Sequence, residues 1–128
     1  MPEILYKELC YQLNGLFFTA QNELGSACSE KQYQDVLEFK LKAASVNYER
    51  EKDLLFQLKE GNISGNRVDL IVNNQVLVDV KAKKHITRED FKQMLRYLKA
   101  GKYRLGIIVN FGSSTVNIKR VINSDIRI

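Results

Sequence analysis

The sequence predicts a mixed α/β domain of the α+β kind, from three observations: helical periodicity at the start, β-type segments with a hairpin signal in the middle, and a single helix before two closing strands. At 128 residues, 45% apolar and 27% charged, the chain can bury one core, so a single domain over 1–128 is expected.

Taken in order, Leu5, Leu9, Leu13 (or Gln12), Leu16 and Ala20 recur at helical spacing over residues 4 to about 22, and Gly25 in "NELGSACS" breaks the pattern. Ser29 suits the N-cap of a second helix, about 30–44, with Tyr33, Leu37, Leu41 and Ala44 on one stripe. Glu30, three residues before Tyr33, falls on that stripe and is expected on the core side of its first turn, although an acid also suits a helix N-terminus. Strand signals follow at 48–58, 67–72 and 75–82. Thr87 is a good N-cap, with Glu89 and Asp90 in the first turn of a helix ending near Gly101. Its core stripe is Phe91, Met94, Leu95 and Leu98, and Gln93 and Tyr97 lie on an adjoining face. "YRLGIIVNFG" reads as a strand buried on both faces and "STVNIKRVI" as an alternating strand nearer an edge.

No apolar run approaches the length of a membrane span, and "MPEILYKELCYQLNG" lacks the uninterrupted apolar stretch of a secretory signal, so a soluble, cytoplasmic protein is expected with no membrane partner. Cys10 and Cys28 have neither disulfide-framework nor zinc spacing and read as reduced thiols. His85 reads as a surface residue and Tyr33 as core packing. The net charge of +5 is unevenly placed: residues 81–104 hold nine Lys and Arg against Glu89 and Asp90, a local +7 that leaves the remainder at −2. Such a block suggests a polyanionic partner docking nearby.

Within "NRVDLIVNNQVLVDVKAKK", two apolar strand-like runs each contain an aspartate, and burying a carboxylate without a partner costs several kcal/mol, of order 2–7 for polar groups and more for charges. Turn length decides where those acids point. A two-residue turn at Asn73 and Asn74 would put Asp69 and Asp79 on opposite faces, whereas a loop over 73–75 sets them directly across from each other and one over 72–74 a diagonal step apart. In either case Asp79 and Lys81 share a face, with Val78 and Val80 on the other.

The element order, with an acid on a core helix, Asp69, and "DVK" at Asp79 to Lys81, resembles the PD-(D/E)XK nuclease superfamily, the restriction-endonuclease-like fold. The resemblance is closer to its GxxExxY branch: "ELGSACSEKQY" supplies Gly25, Glu30 and Tyr33, "VLVDVKA" the acid-x-Lys strand, and "QMLRYLKAG" Gln93 and Tyr97. "LGIIVNFG" and "IKRVI" match the closing strands, so the likeness runs from about residue 4 to 122. Ala27 stands where that branch usually has a second glycine, Asp79 where it has Glu, and Asp90 where a histidine is common.

The resemblance implies a central mixed β-sheet flanked by helices, in the order α-α-β-β-β-α-β-β. It also implies phosphodiester hydrolysis with Mg²⁺, or Mn²⁺ as a substitute, because a hard divalent ion on oxygen ligands both neutralises phosphate charge and activates water. Asp69, Asp79 and the Val80 carbonyl would hold the ion, and Glu30 would reach a second ion or a bound water. Lys81 would act on the attacking water or the phosphate, with Gln93 and Tyr97 bracing the site or touching the nucleic-acid backbone. Lys83, Lys84, Arg88, Lys92, Arg96 and Lys99 are the expected phosphate contacts, on DNA in preference to RNA. A chain without an obvious specificity domain leaves room for a homodimer. The competing class is a catalytically inert module of the same fold that binds nucleic acid or a protein.

Overall fold

A computed structural model describes residues 5–126. Two helices, α1 (Lys7–Leu24) and α2 (Glu30–Ala43), are followed by five strands: β1 (Tyr48–Asp53), β2 (Phe56–Leu58), β3 (Gly61–Ile63), β4 (Arg67–Val72) and β5 (Val76–Lys81). One helix, α3 (Arg88–Gly101), leads to β6 (Leu105–Asn110) and β7 (Asn117–Ile122). The main sheet has the order β1-β4-β5-β6-β7, and β2 and β3 form a separate two-stranded ribbon. Only β5 and β6, joined through α3, run parallel, so the sheet is mixed and its two most buried strands lie together near its centre.

The two faces bury different layers. Leu70, Val72, Val76, Val78, Val80, Leu105, Ile107 and Val109 pack under α1 and α2 against Leu13, Phe17, Leu37 and Leu41. Ile71, Leu77, Ile108 and Val121 face Met94, Tyr97 and Leu98 of α3. Alternation along β5 therefore gives Val76, Val78 and Val80 to one layer and Leu77 to the other.

Ser29 and Thr87 both start helices as expected. The Ser29 hydroxyl accepts from the Gln32 N–H, and Gln32 Oε1 accepts from the Ser29 N–H. Asp90 Oδ2 accepts from the Thr87 N–H at 2.7 Å.

Three expectations need correction. The buried stripe of α1 is Cys10, Leu13, Phe17 and Ala20, because the helix is rotated enough to leave Leu9 and Leu16 only partly covered. Segment 48–58 is not one strand: Leu54 turns inward, its N–H donating to the Asn66 carbonyl, and the chain resumes as the β2–β3 ribbon. Glu30 is exposed rather than on the core side, as is Ala44 at the other end of α2, since the stripe runs past the layer it covers at both ends of the helix.

Candidate active site at the open end of the central hairpin

The β4–β5 hairpin sets the geometry. Asn73 and Asn74 both take left-handed backbone conformations, at φ 52° and 53°, and Gln75 is the third loop residue, so Val72 pairs with Val76 and Leu70 with Val78. Continued one step, that register puts Asp69 opposite Asp79, on the α3 face of the sheet. The paired ladder stops there. The Val80 N–H donates to Asp69 Oδ2 at 2.7 Å, a side chain replacing the backbone acceptor that a continued ladder would offer. On the other side of β5 the Lys81 carbonyl accepts from the Phe111 N–H, so by alternation the Val80 carbonyl faces β4 and the acids.

Burial and the Asp79 charge beside it push the Asp69 carboxyl up to about 7, with Glu30 adding to the effect and the Val80 N–H opposing it. Asp79 is 4% exposed. Its Oδ2 lies 3.0 Å from Lys81 Nζ, but the approach lacks hydrogen-bond geometry and the atom is left without a hydrogen-bond partner. Lys81 Nζ donates instead to Gln93 Oε1 at 3.0 Å and lies 3.7 Å from Asp90 Oδ1. Burial pulls the Lys81 ammonium down, but Asp79, Asp90 and Glu30 outweigh it and hold its pKa above the usual lysine value. Tyr97 completes this side of α3: burial, then the Asp79 charge, raises its phenol, and the Arg96 guanidinium lies 5.7 Å from its ring centroid.

Glu30 enters from the opposite layer, and packing explains how its position is held. Gly25 ends α1 at φ 75°, and its carbonyl accepts from the Tyr33 hydroxyl. The Tyr33 ring stacks on Phe111 at 4.3 Å, one residue past the end of β6. Gly25 and Tyr33 thus form a brace that fastens the start of α2, where Glu30 lies, to the end of the sheet, with Tyr33 fully buried as expected.

The loop after β5 is fixed just as tightly. The Asn110 side chain is fully buried, donating to the Lys83 carbonyl (2.8 Å) and accepting from the Lys83 and Gly112 N–H groups (3.0 and 3.1 Å). A Cβ on Gly112 would meet the Lys83 backbone at 2.3 Å, so no larger residue fits there without moving the loop.

A family model described as the PD-(D/E)XK nuclease superfamily matches residues 7–121. The chain belongs to that superfamily. A solved structure titled "Crystal structure of SSO0001" has the same fold, with a TM-score of 0.56 at 21% identity over 70% of this chain and 48% of that one. The chain thus spans about half the length of that relative. No curated protein matches it. The five-stranded mixed sheet and flanking helices agree with the restriction-endonuclease-like architecture expected from the sequence.

For a member of this superfamily, the donor set fits a hard divalent ion. Two carboxylates face each other, one has a buried oxygen met only by the Lys81 ammonium among the described residues, and a backbone carbonyl is turned toward them. Among the described residues, no three of His, Cys, Asp and Glu converge as a ready-made ion cage. Glu30 bears on Asp69 through its charge, from an exposed position.

The basic residues divide. Lys83 is paired with Asp90 at 2.6 Å, and Arg96 Nε donates to the buried Asn66 at 3.0 Å. On α3, Asp90, Gln93 and Tyr97 share the stripe facing the acids, while Arg88, Lys92 and Lys99 lie about half a turn around the helix. Lys84 is exposed on the loop held by Asn110, and His85 is exposed beside it. In the sequence Asp90 reads as a first-turn acid standing where the GxxExxY branch commonly has a histidine, with no role assigned. The Thr87-x-x-Asp90 spacing could have flagged it as a capping box, but its contacts with two lysines come from tertiary packing. Among the described residues no helix is long and apolar enough to cross a membrane.

Proposed function

We propose that the protein is a divalent-metal-dependent nuclease that hydrolyses phosphodiester bonds, in DNA in preference to RNA, and that it belongs to the GxxExxY branch. One observation supports this most: Asp69 and Asp79 face each other where the hairpin ladder ends, beside a lysine held by a glutamine of α3. A strand-end ion pair needs none of that convergence. In this reading Asp69, Asp79 and the Val80 carbonyl hold Mg²⁺, or Mn²⁺ in its place, and the ion when bound neutralises phosphate charge and makes a water nucleophilic. Lys81 orients that water or steadies charge developing on the phosphate, Gln93 keeps the ammonium aimed at the acids, and Tyr97 backs Gln93 one turn on. Glu30 reaches a second ion or a bound water from α2. Lys83 and Lys84 meet the nucleic-acid backbone, and a homodimer supplies a second copy of the site.

The deciding experiment is cleavage of a panel of single-stranded, duplex and branched substrates with and without Mg²⁺ or Mn²⁺. Metal-dependent cleavage by wild type and its loss in Asp79→Ala are expected. Metal binding by wild type with no cleavage of any substrate would favour the inert binding module instead.

A further inference from the structure

We propose that Asp90 is a positioning residue that receives the Lys81 ammonium when a divalent ion takes the Asp79 oxygen against which that ammonium now sits. The inference rests on the metal-dependent reading above. Lys81 Nζ lies 3.0 Å from Asp79 Oδ2, so an ion bound at that carboxylate would repel the ammonium from its present place. The Lys81 side chain is 15% exposed, so a displaced ammonium left without an acid would be costly.

The two carboxylate oxygens of Asp90 are unequal. Oδ2 is saturated, accepting from the Thr87 N–H and hydroxyl and from Lys83 Nζ. Oδ1 has only the 3.7 Å contact with Lys81 among the described residues, so its lone pairs are available. A movement of about 1 Å closes that contact to a charge-assisted hydrogen bond, with Gln93 Oε1 still in reach. Asp90 is also ready ionised: burial opposes its charge, but Lys83 and the Thr87 N–H, then Lys81, hold its pKa below the usual carboxylate value. Lys83 and the capping bonds hold the carboxylate still, so the ammonium moves toward a fixed acceptor. Ion binding and lysine placement become one event.

A double-mutant cycle read by calorimetric Mg²⁺ titration of the whole chain tests this, independently of activity. Asp90→Asn keeps the shape of the cap and removes the charge. In the wild-type background it should weaken Mg²⁺ binding at least about threefold more than in the Lys81→Met background, because the direct loss of one negative charge acts in both and cancels. Equal losses would overturn the inference while leaving the metal site standing. Thr87→Ala, which removes a capping hydroxyl but keeps the carboxylate, should lower thermal stability and leave Mg²⁺ affinity unchanged. A fall in affinity matching that of Asp90→Asn would assign the effect to the helix start and overturn the proposal. If Asp90→Asn does not fold, the wild-type Asp90 carboxyl carbon resonance decides: it should shift on Mg²⁺ addition with the same saturation as Asp79, and an unmoved resonance would overturn the proposal. Wild type that binds no divalent ion would sink the metal reading itself, and this inference with it.

Discussion

The two faces of the sheet are built from the same strands and do different work. Under α1 and α2, β4, β5 and β6 present an unbroken apolar layer, closed by the buried stripes of two helices. Under α3 the same strands are apolar only in part, and at one end the layer gives way to Asp69, Asp79 and Lys81, met by Asp90, Gln93 and Tyr97. The difference teaches how a small chain can hold buried charges: one face supplies the stability, and the other is relieved of packing where the hairpin ladder ends. The acids are also where the ladder is weakest, since Asp69 replaces a backbone acceptor with its own side chain.

Substitutions on the two faces should therefore separate function from stability. The largest effect is expected from Lys81→Met, which removes charge while keeping most of the stem. Divalent-ion binding should persist or tighten slightly, because a competing cation is gone, while cleavage falls by orders of magnitude, on the order of the 10²–10⁴ typical of a positioned proton-transfer group. Intact cleavage in this variant would break the assignment of chemistry to the α3 face.

Next is Leu37→Ala, which empties a fully buried position under α2. It should cost about 2–5 kcal/mol in denaturant unfolding and leave the per-molecule Mg²⁺ affinity of the remaining folded protein near wild type. A collapse of Mg²⁺ affinity at mild destabilisation would show that the faces are coupled more tightly than their layers suggest.

A smaller effect is expected from pH in chelator. Asp69 holds its proton more tightly folded, up to about 7 against an ordinary 3.8, so its contribution to stability is full below 3.8 and is lost as pH rises toward 7. Metal-free protein should thus lose part of its stability between about pH 4 and about pH 7, and Asp69→Asn should flatten that part of the profile. An unchanged profile would mean that neither burial nor the facing Asp79 charge raises the Asp69 carboxyl in the folded state.

The smallest effect distinguishes the two sides of α3. In an Asp79→Ala background, Lys83→Gln with Lys84→Gln should flatten the salt dependence of duplex binding by about 0.9 log-log units for each phosphate no longer neutralised. Lys92→Gln with Lys99→Gln, half a turn from the acids, should leave the slope unchanged. The reverse result would carry the nucleic acid over the outer face of α3.

Much of the fold was legible because its signals are local. Capping at Ser29 and Thr87, the end of α1 at Gly25, the fully buried β6 and the alternation of Asp79 and Lys81 each depend on a few neighbouring residues. The turn residues alone did not set the length of the hairpin loop, since Asn73 and Asn74 permit more than one; the ten-residue spacing of Asp69 and Asp79 pointed to a three-residue or bulged loop, and residues 73–75 form it. Tertiary packing fixes that length, since the loop over 73–75 points Val76, Val78 and Val80 into the layer under α1 and α2 and brings the acids together on the opposite face.

The inward turn at Leu54 and the rotation of α1 onto Cys10 and Phe17 were likewise settled by fit against distant elements. By itself the sequence determined that Asp69, Asp79 and Lys81 lie at strand spacing, because alternation is local; that they would hold and serve a divalent ion is what their resemblance to the PD-(D/E)XK pattern implies. Only the tertiary structure decided that Asp90 joins them, that Arg96 is tied to Asn66 and that the loop with Lys83 is clamped by Asn110. Those contacts join residues far apart along the chain or on different elements, and no periodicity encodes where a folded sheet brings a helix end.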